Sequence, residues 1–328
     1  MRMIGILVSL SLLAIPTVAG QRACVQSTRQ VYLMGTQVAL TTCEGSREAG
    51  LAELETYIGI LGAVEDELST WRPESRISKL NRQPIGVPFQ FTDDVSKMFE
   101  TLFFWYERTN HTFDPGVGAL TDAWGIHDGG RVPGSEQLRF ALQRSGLKHF
   151  SLDAKNRQIT RRRDATIDVG GFGKGEGLDR VLRYAQAHGS APFLIDLGGQ
   201  FLAYGHPPGK SGWEVDLADP MDRHKPALSL TMAEGSLSTS AGSERDVVVD
   251  GKRIGHIIDP RTGQPVVSNG SVTVWHASAL AADILSTALF VMGSEAGSRW
   301  ADENGVAALF QLPDLKPTRA WKRVFSRG

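Results

Sequence analysis

With 328 residues, 41% hydrophobic and 22% charged, the chain has the make-up of a globular protein long enough to bury a sizeable core. Thirty-five Lys and Arg against 36 Asp and Glu leave a formal net charge of -1, so there is no overall field to recruit nucleic acid, and the run Arg161 to Arg163 reads as a solvated turn between strands. Glycine, at 36 residues, exceeds the roughly 7% of ordinary usage and gathers in short motifs, a pattern expected where backbone approaches a ligand.

Residues 1–20 carry the marks of an export signal: Arg2, an apolar run from Ile4 to Ile15, Pro16, and the small residues Thr17 to Gly20 around a cleavage point. The run is short for a spanning helix, which needs about 20 apolar residues. Gln21 stands three positions before Cys24 where a lipidation site has a leucine-like residue, which argues against a lipid anchor. An exported, periplasmic protein is therefore expected. Cys24 and Cys43 are the two cysteines of the chain; a reversal near Gly35 would set them opposite each other, and two separate thiols are an equal reading.

From Arg29 to Thr42 the β-branched, alternating pattern predicts extended structure broken at Gly35. Leu51, Leu54, Ile58, Leu61 and Leu68 then recur at helical spacing up to the stop at Pro73. A second helix follows the cap Thr92, with Val95, Met98, Phe99, Leu102, Phe103 and Tyr106 on one face, and a third starts at Ser135. Strands are predicted at 149, 157, 166, 192, 201, 213, 227, 254 and 272, interrupted by a helix from about Gly173 to Ala187 and closed by one over 277–293. Helices and strands interleave without a linker, so residues 21–328 read as one domain of the α+β class with a mostly antiparallel sheet flanked by helices.

Three features carry chemistry. Asp283 sits inside the apolar run ASALAADILSTALFVMG, where a lone carboxylate would cost several kcal/mol, on the order of an effective buried-ion penalty. Thr287 lies one helical turn further on the same face, and a carboxylate with a hydroxyl is donor chemistry for Mg²⁺; an Asp bonded to a neighbouring backbone or Arg is the alternative. TIDVGGFGKGEGLDRV runs from an extended segment through glycines into a helix with Lys174 at its start, which suits phosphate recognition or simply a tight turn. Its spacing is neither a Walker A nor a dinucleotide fingerprint. His256, with an ordinary pKa of about 6.5, is a candidate general base or a structural histidine. Asp114 and Asp259 each precede a proline, as turn aspartates do.

Taken in order, LMGTQV, LSTWRPESRISKLN, TFDPGVG, IDVGGFGKGEGLD, IDLGGQFLAYG, LSTSAGSER, HIIDPRTGQPV and AADILSTALFVMG resemble the ApbE family of FAD:protein FMN transferases over about residues 29 to 311. The resemblance implies Mg²⁺ held by Asp283, Thr287 and the carbonyl of Gly171, and FAD as substrate bound by Met34, Trp71, Thr112, Phe113, Asp114, Asp168 and Lys174. Trp71 replaces the Tyr of many relatives, keeping a stacking face. It further implies FMN transfer to a Thr hydroxyl of an acceptor with an extracytoplasmic FMN-binding domain, a subunit of a respiratory redox complex, so that the membrane is met only indirectly. His256 would be the base. Rival readings of the same residues are an Mg²⁺-dependent FAD pyrophosphatase and an exported FAD carrier.

Overall fold

The computed structural model describes residues 24–325 apart from 223, 243–245, 250, 269 and 313. The expected export segment, the end of the LSTSAGSER run and Asn269 lie outside the described residues. The chain opens with a hairpin, β1 (Val25–Leu33) and β2 (Thr36–Glu44), whose two-residue turn is Met34-Gly35, both at positive φ (52° and 72°). That is the left-handed pair that a tight hairpin needs, and Met34 is an unusual residue to bear it. The turn places Met34 at the cleft described below. At the open end of the hairpin Cys24 and Cys43 form a disulfide, their Cα atoms 5.2 Å apart.

After α1 (Arg47–Leu68), capped by Ser46, come α2 (Arg76–Arg82), β3 (Pro88–Gln90), α3 (Asp93–Arg108) capped by Thr92, α4 (Gly118–Trp124) and α5 (Ser135–Gln143). A small antiparallel sheet joins β3 through β5 (Gln158–Arg161) to β4 (Phe150–Asp153). Next are α6 (Gly173–His188), β6 (Phe193–Leu197), β7 (Gln200–Tyr204), β8 (Trp213–Ala218), β9 (Pro226–Met232), β10 (Gly235–Ala241), β11 (Val247–Val249) and β12 (Lys252–Ile254). The chain continues through β13 (Ser271–His276), α7 (Ala279–Met292), α8 (Ser294–Glu303), β14 (Ala307–Leu312), β15 (Asp314–Pro317) and α9 (Arg319–Phe325). The main sheet runs β1-β2-β6-β7-β10-β13-β14-β15, antiparallel at each pairing, which bears out the α+β expectation.

One face of that sheet packs against α1, α6 and α7 through Leu40, Leu61, Leu178 and Ile195 and, further along, Val274, Leu285 and Leu289. The other carries the β8–β9 hairpin and α9, with Trp213, Val215 and Trp321 buried. A second core lies beyond α7, where Ile284 and Ala288 meet Phe99 and Leu102 of α3 and Phe172 before α6. So α7 is covered on both sides, which is why it is apolar all round. No helix among the described residues is long and apolar enough to cross a membrane.

Two expected strands are not strands. Over TIDV, the side chain of Asn81 takes both backbone groups of Ile167, donating to its carbonyl at 2.9 Å and accepting its N–H at 2.8 Å, so an amide does the work of a neighbouring strand. In IGHIID the regular pairing ends at Ile254, and beyond it Ile258 makes a single bridge to Pro265. Arg161, expected in solvent, is 8% exposed and donates to the carbonyls of Gln83 and Ala165. The helix over 277–293 does not close the series either, since α8, β14, β15 and α9 follow it.

Candidate functional site

A cleft of about 710 Å³ opens between the β1–β2 turn, the start of α6, α7 and the segment after β12. Every side chain that the resemblance assigns to the site lines it: Met34, Trp71, Thr112, Phe113, Asp114, Asp168, Lys174, His256, Asp283 and Thr287, together with Gly171. Segments as far apart as Met34 and Thr287 have converged on one concavity near the upper part of the ~300–1,000 Å³ range of small-molecule sites.

At its floor Asp283 is 4% exposed. Its Oδ2 accepts the N–H of Gly175 at 3.0 Å, and its Oδ1 the hydroxyl of Ser238 from β10 at 3.3 Å. Gly175 lies in the first turn of α6, where backbone N–H groups have no partner inside the helix, so the positive end of α6 offsets the buried carboxylate. A Cβ on Gly175 would stand 2.5 Å from the Ala279 carbonyl and 2.9 Å from the Asp283 Cβ; glycine is what lets α6 and α7 close on each other. The backbone alternative read for Asp283 is thus real, and a metal is not needed to account for its burial. What points to an ion is the donor set around it. Thr287 adds a hydroxyl one turn along, and a Cβ built on Gly171 would lie 3.4 Å from that oxygen, which places the Gly171 backbone at the same spot. Among the described residues no cluster of three or more His, Cys, Asp or Glu side chains is gathered for a metal. One carboxylate, one hydroxyl and one carbonyl fit Mg²⁺, which uses few protein ligands and keeps water and phosphate oxygens.

Lys174 enters the cleft from the first turn of α6, and its charge acts on the Asp196 carboxyl against the upward push of burial. Thr112 and Phe113 are buried, and Asp114 is 9% exposed, its Oδ1 accepting the N–H groups of Gly116 at 2.7 Å and Leu147 at 2.8 Å. Burial raises the Asp114 carboxyl to about 6 against these two donors. Asp259, read as a turn aspartate, is one: its Oδ1 accepts the Arg261 N–H, and the two side chains form an ion pair.

Two partnerships were invisible in the sequence. His256 donates its backbone N–H to Asp246 Oδ1 at 3.2 Å, and its Nδ1 lies 3.1 Å from the same oxygen. Asp246 precedes β11 and His256 follows β12, so the hairpin brings the two together across ten positions. His127, in the turn after α4, sets Nε2 3.1 Å from Asp168 Oδ2 and its ring 4.9 Å from that of Trp71, edge on. Burial would raise Asp168, but the hydrogen bond from His127, the Gly170 N–H and the Thr121 hydroxyl hold it below its usual range. The same hydrogen bond, opposed by burial, raises His127. Asp246 stands in no glycine-rich or Asp-Pro motif, whereas His127 lies among Gly125, Gly129 and Gly130, a turn signal that the sequence reading left unused.

The fold that carries this cleft is shared with solved flavin transferases. The chain superposes on the ApbE protein of Thermotoga maritima with a TM-score of 0.84 at 27% identity, over 92% of this chain and 99% of that one. Against the flavinyl transferase ApbE of Pseudomonas stutzeri, apo form, the TM-score is 0.81 at 26% identity, over 93% and 98%. The chain belongs to the ApbE family, whose model matches residues 34–310. A curated relative, the FAD:protein FMN transferase of Treponema pallidum (strain Nichols), is 32% identical over 294 residues, 84% of this chain and 81% of the relative.

Proposed function

We propose that this chain is an Mg²⁺-dependent FAD:protein FMN transferase that moves FMN from FAD to a Thr hydroxyl of an acceptor flavoprotein and releases AMP. Family membership and relatives that bear this name make it a transferase acting on flavin. The observation that carries the finer reading is the convergence of Asp283, Thr287, the α6 N-terminus with Lys174, and His256 on one cleft. Phosphoryl transfer asks for positioned cationic and N–H groups more than for covalent chemistry.

Asp283, Thr287 and the Gly171 carbonyl would hold Mg²⁺, which supplies positive charge to the pyrophosphate when bound. Lys174 and the first turn of α6 would take phosphate oxygens on the other side. Met34, Trp71, Thr112, Phe113, Asp114 and Asp168 form the wall for the flavin nucleotide. In the transfer step the acceptor Thr Oγ forms a bond to the FMN-side phosphorus, and the bond from that phosphorus to the bridging oxygen breaks. AMP leaves with the bridging oxygen, and the hydroxyl proton passes to Nε2 of His256. Asp246 faces Nδ1 and orients the ring for that task. The proposal extends to an exported, periplasmic enzyme, released from residues 1–20 and folded over 21–328 as one domain, whose acceptor is a redox-complex subunit with an extracytoplasmic FMN domain.

Incubating the mature chain with FAD and Mg²⁺, with and without an exported FMN-domain protein from the same genome, tests this. The expected result is AMP release coupled to a mass gain of one FMN on the acceptor, both lost in Asp283→Ala. AMP release with water as the sole acceptor would replace transfer by FAD hydrolysis, and tight FAD binding without either product would make the protein a carrier.

A further inference from the structure

Resting on the flavin-transferase reading, we infer that His127, anchored by Asp168, is itself a flavin-binding residue of this chain, offering its second ring nitrogen to the polar edge of the isoalloxazine beside Trp71. Asp168 is engaged by the protein on both of its oxygens. Its Oδ1 accepts the Gly170 N–H at 2.8 Å, and its Oδ2 accepts from His127 Nε2 at 3.1 Å and from the Thr121 hydroxyl at 3.4 Å. Each carboxylate oxygen thus meets a protein donor, Gly170 N–H or His127, while the single proton of the Thr121 hydroxyl is shared with the nearer Gly118 carbonyl at 2.9 Å. Asp168 is therefore largely spent as an anchor, and the group it anchors is the one with capacity left.

His127 has that capacity. Nε2 is committed to Asp168, its side chain keeps 34% of its surface, and it lines the cleft. Its turn is fixed to the end of α4: Ile126 N–H reaches the Thr121 carbonyl at 3.0 Å, Asp128 N–H and Gly130 N–H both reach the Gly125 carbonyl, and Gly125 takes the left-handed conformation that ends the helix. A histidine on a pinned turn, pulled one way by a carboxylate, is a positioned group.

Trp71 completes the corner. Its ring meets the imidazole at 72° and 4.9 Å while 67% of the residue stays exposed, an unusual amount for an indole at the mouth of a cleft. A planar heteroaromatic ligand stacked on the indole would bring its edge to the imidazole. An isoalloxazine edge carries carbonyl and ring-nitrogen acceptors beside one N–H donor, so the remaining nitrogen of His127 can serve it as donor when the ring is charged or as acceptor when it is neutral. The raised basicity of His127, with Asp168, Asp122 and Asp128 around it, favours the donor form.

The test uses binding alone, without Mg²⁺ or acceptor. Wild type, His127→Gln and His127→Phe are titrated with FAD, FMN and ADP, following flavin fluorescence and the visible spectrum of bound flavin, with ADP read by calorimetry. Phe keeps an aromatic edge against Trp71 and removes both nitrogens. We expect His127→Phe to weaken FMN and FAD about tenfold and shift the bound-flavin spectrum, with His127→Gln in between and ADP unchanged. Should Phe not be accommodated, Gln carries the test: ADP weakened as much as FMN, or FMN bound by it with wild-type affinity and spectrum, overturns the assignment. A wild type that binds no flavin would instead sink the flavin-transferase reading.

Discussion

The floor of the cleft and its rim are built in opposite ways. On the floor, Asp283 and Thr287 are a helical turn apart on α7, and Gly171, Lys174 and Gly175 fall within five positions at the start of α6. Two regular elements in van der Waals contact fix their geometry. At the rim, His127 and His256 each sit on a turn or hairpin end and are oriented by carboxylates 41 and 10 positions away. Short spacings on helices can be read from a sequence because the period supplies the geometry; side chains that meet through loops leave no period to read.

The largest effect should come from the floor. Replacing Asp283 by Asn preserves size and an acceptor for the Gly175 N–H, and removes the charge. Transfer is expected to fall about 10³-fold, the scale of losing a main electrostatic contact, while the thermal midpoint moves little because Gly175 and Ser238 keep a partner. Measured transfer within tenfold of wild type would take Asp283 out of the metal site and leave it as a clasp between α6, α7 and β10. Gly175→Ala sharpens the same point from the other element. The added methyl meets backbone on α7, so about 1–3 kcal/mol of stability should go with activity, as overpacking does.

How far the molecule was legible follows the same division. The β1–β2 hairpin, α1, α3, α6 and α7 were given by alternation, helical spacing and the cap at Thr92, and the convergence of ten side chains followed from motif order. TIDV failed because Asn81, 86 positions away, stands in for a strand, and propensity cannot see a side chain doing a backbone's work. Likewise Arg161 reads as solvent-exposed until Gln83 and Ala165 supply the carbonyls that bury it. The disulfide was half legible. A hairpin turn at Met34-Gly35 aligns Gln26 with Cys43 and so brings Cys24 to the right end, yet register had to be known to the residue.

Between floor and rim, Asp114 tests whether the wall is tuned or merely packed. Its folded carboxyl titrates at about 6, above the ordinary value of 3.8, chiefly through burial. The folded form then binds a proton more readily than the unfolded chain between these values, so this group's stabilising share is present below about pH 4 and lost as pH rises through about 6. Two pH units of difference correspond to about 3 kcal/mol as an upper figure. In Asp114→Asn, both N–H donors on Oδ1 can be kept and the ionisation is removed. Denaturation midpoints from pH 4 to 8 should show the variant gaining on wild type across pH 4 to 6 and holding that gain above it. A difference that stays flat with pH would mean an ordinary carboxyl.

The smallest expected effect lies in the Asp246–His256 pair, and it bears most directly on the contrast between rim and floor. If the rim is organised for chemistry, Asp246 fixes which nitrogen of His256 carries the proton, with Nδ1 turned to Oδ1 and Nε2 left for the acceptor hydroxyl. Asn at 246 can still accept the His256 backbone N–H, so the hairpin end keeps its shape, but the charge that stabilises an imidazolium is gone. The expected outcome is a kcat for transfer lower by about tenfold, an unchanged KM for FAD and a thermal midpoint close to wild type, a modest cost because a loose phosphoryl transition state asks little of its base. In the background of His256→Ala the same substitution should cost nothing more, since residues that act as a unit are not additive. An equal loss in both backgrounds, or a rise in KM at constant kcat, would show Asp246 to be a support of the hairpin, and the rim would then owe its order to packing, as the floor does.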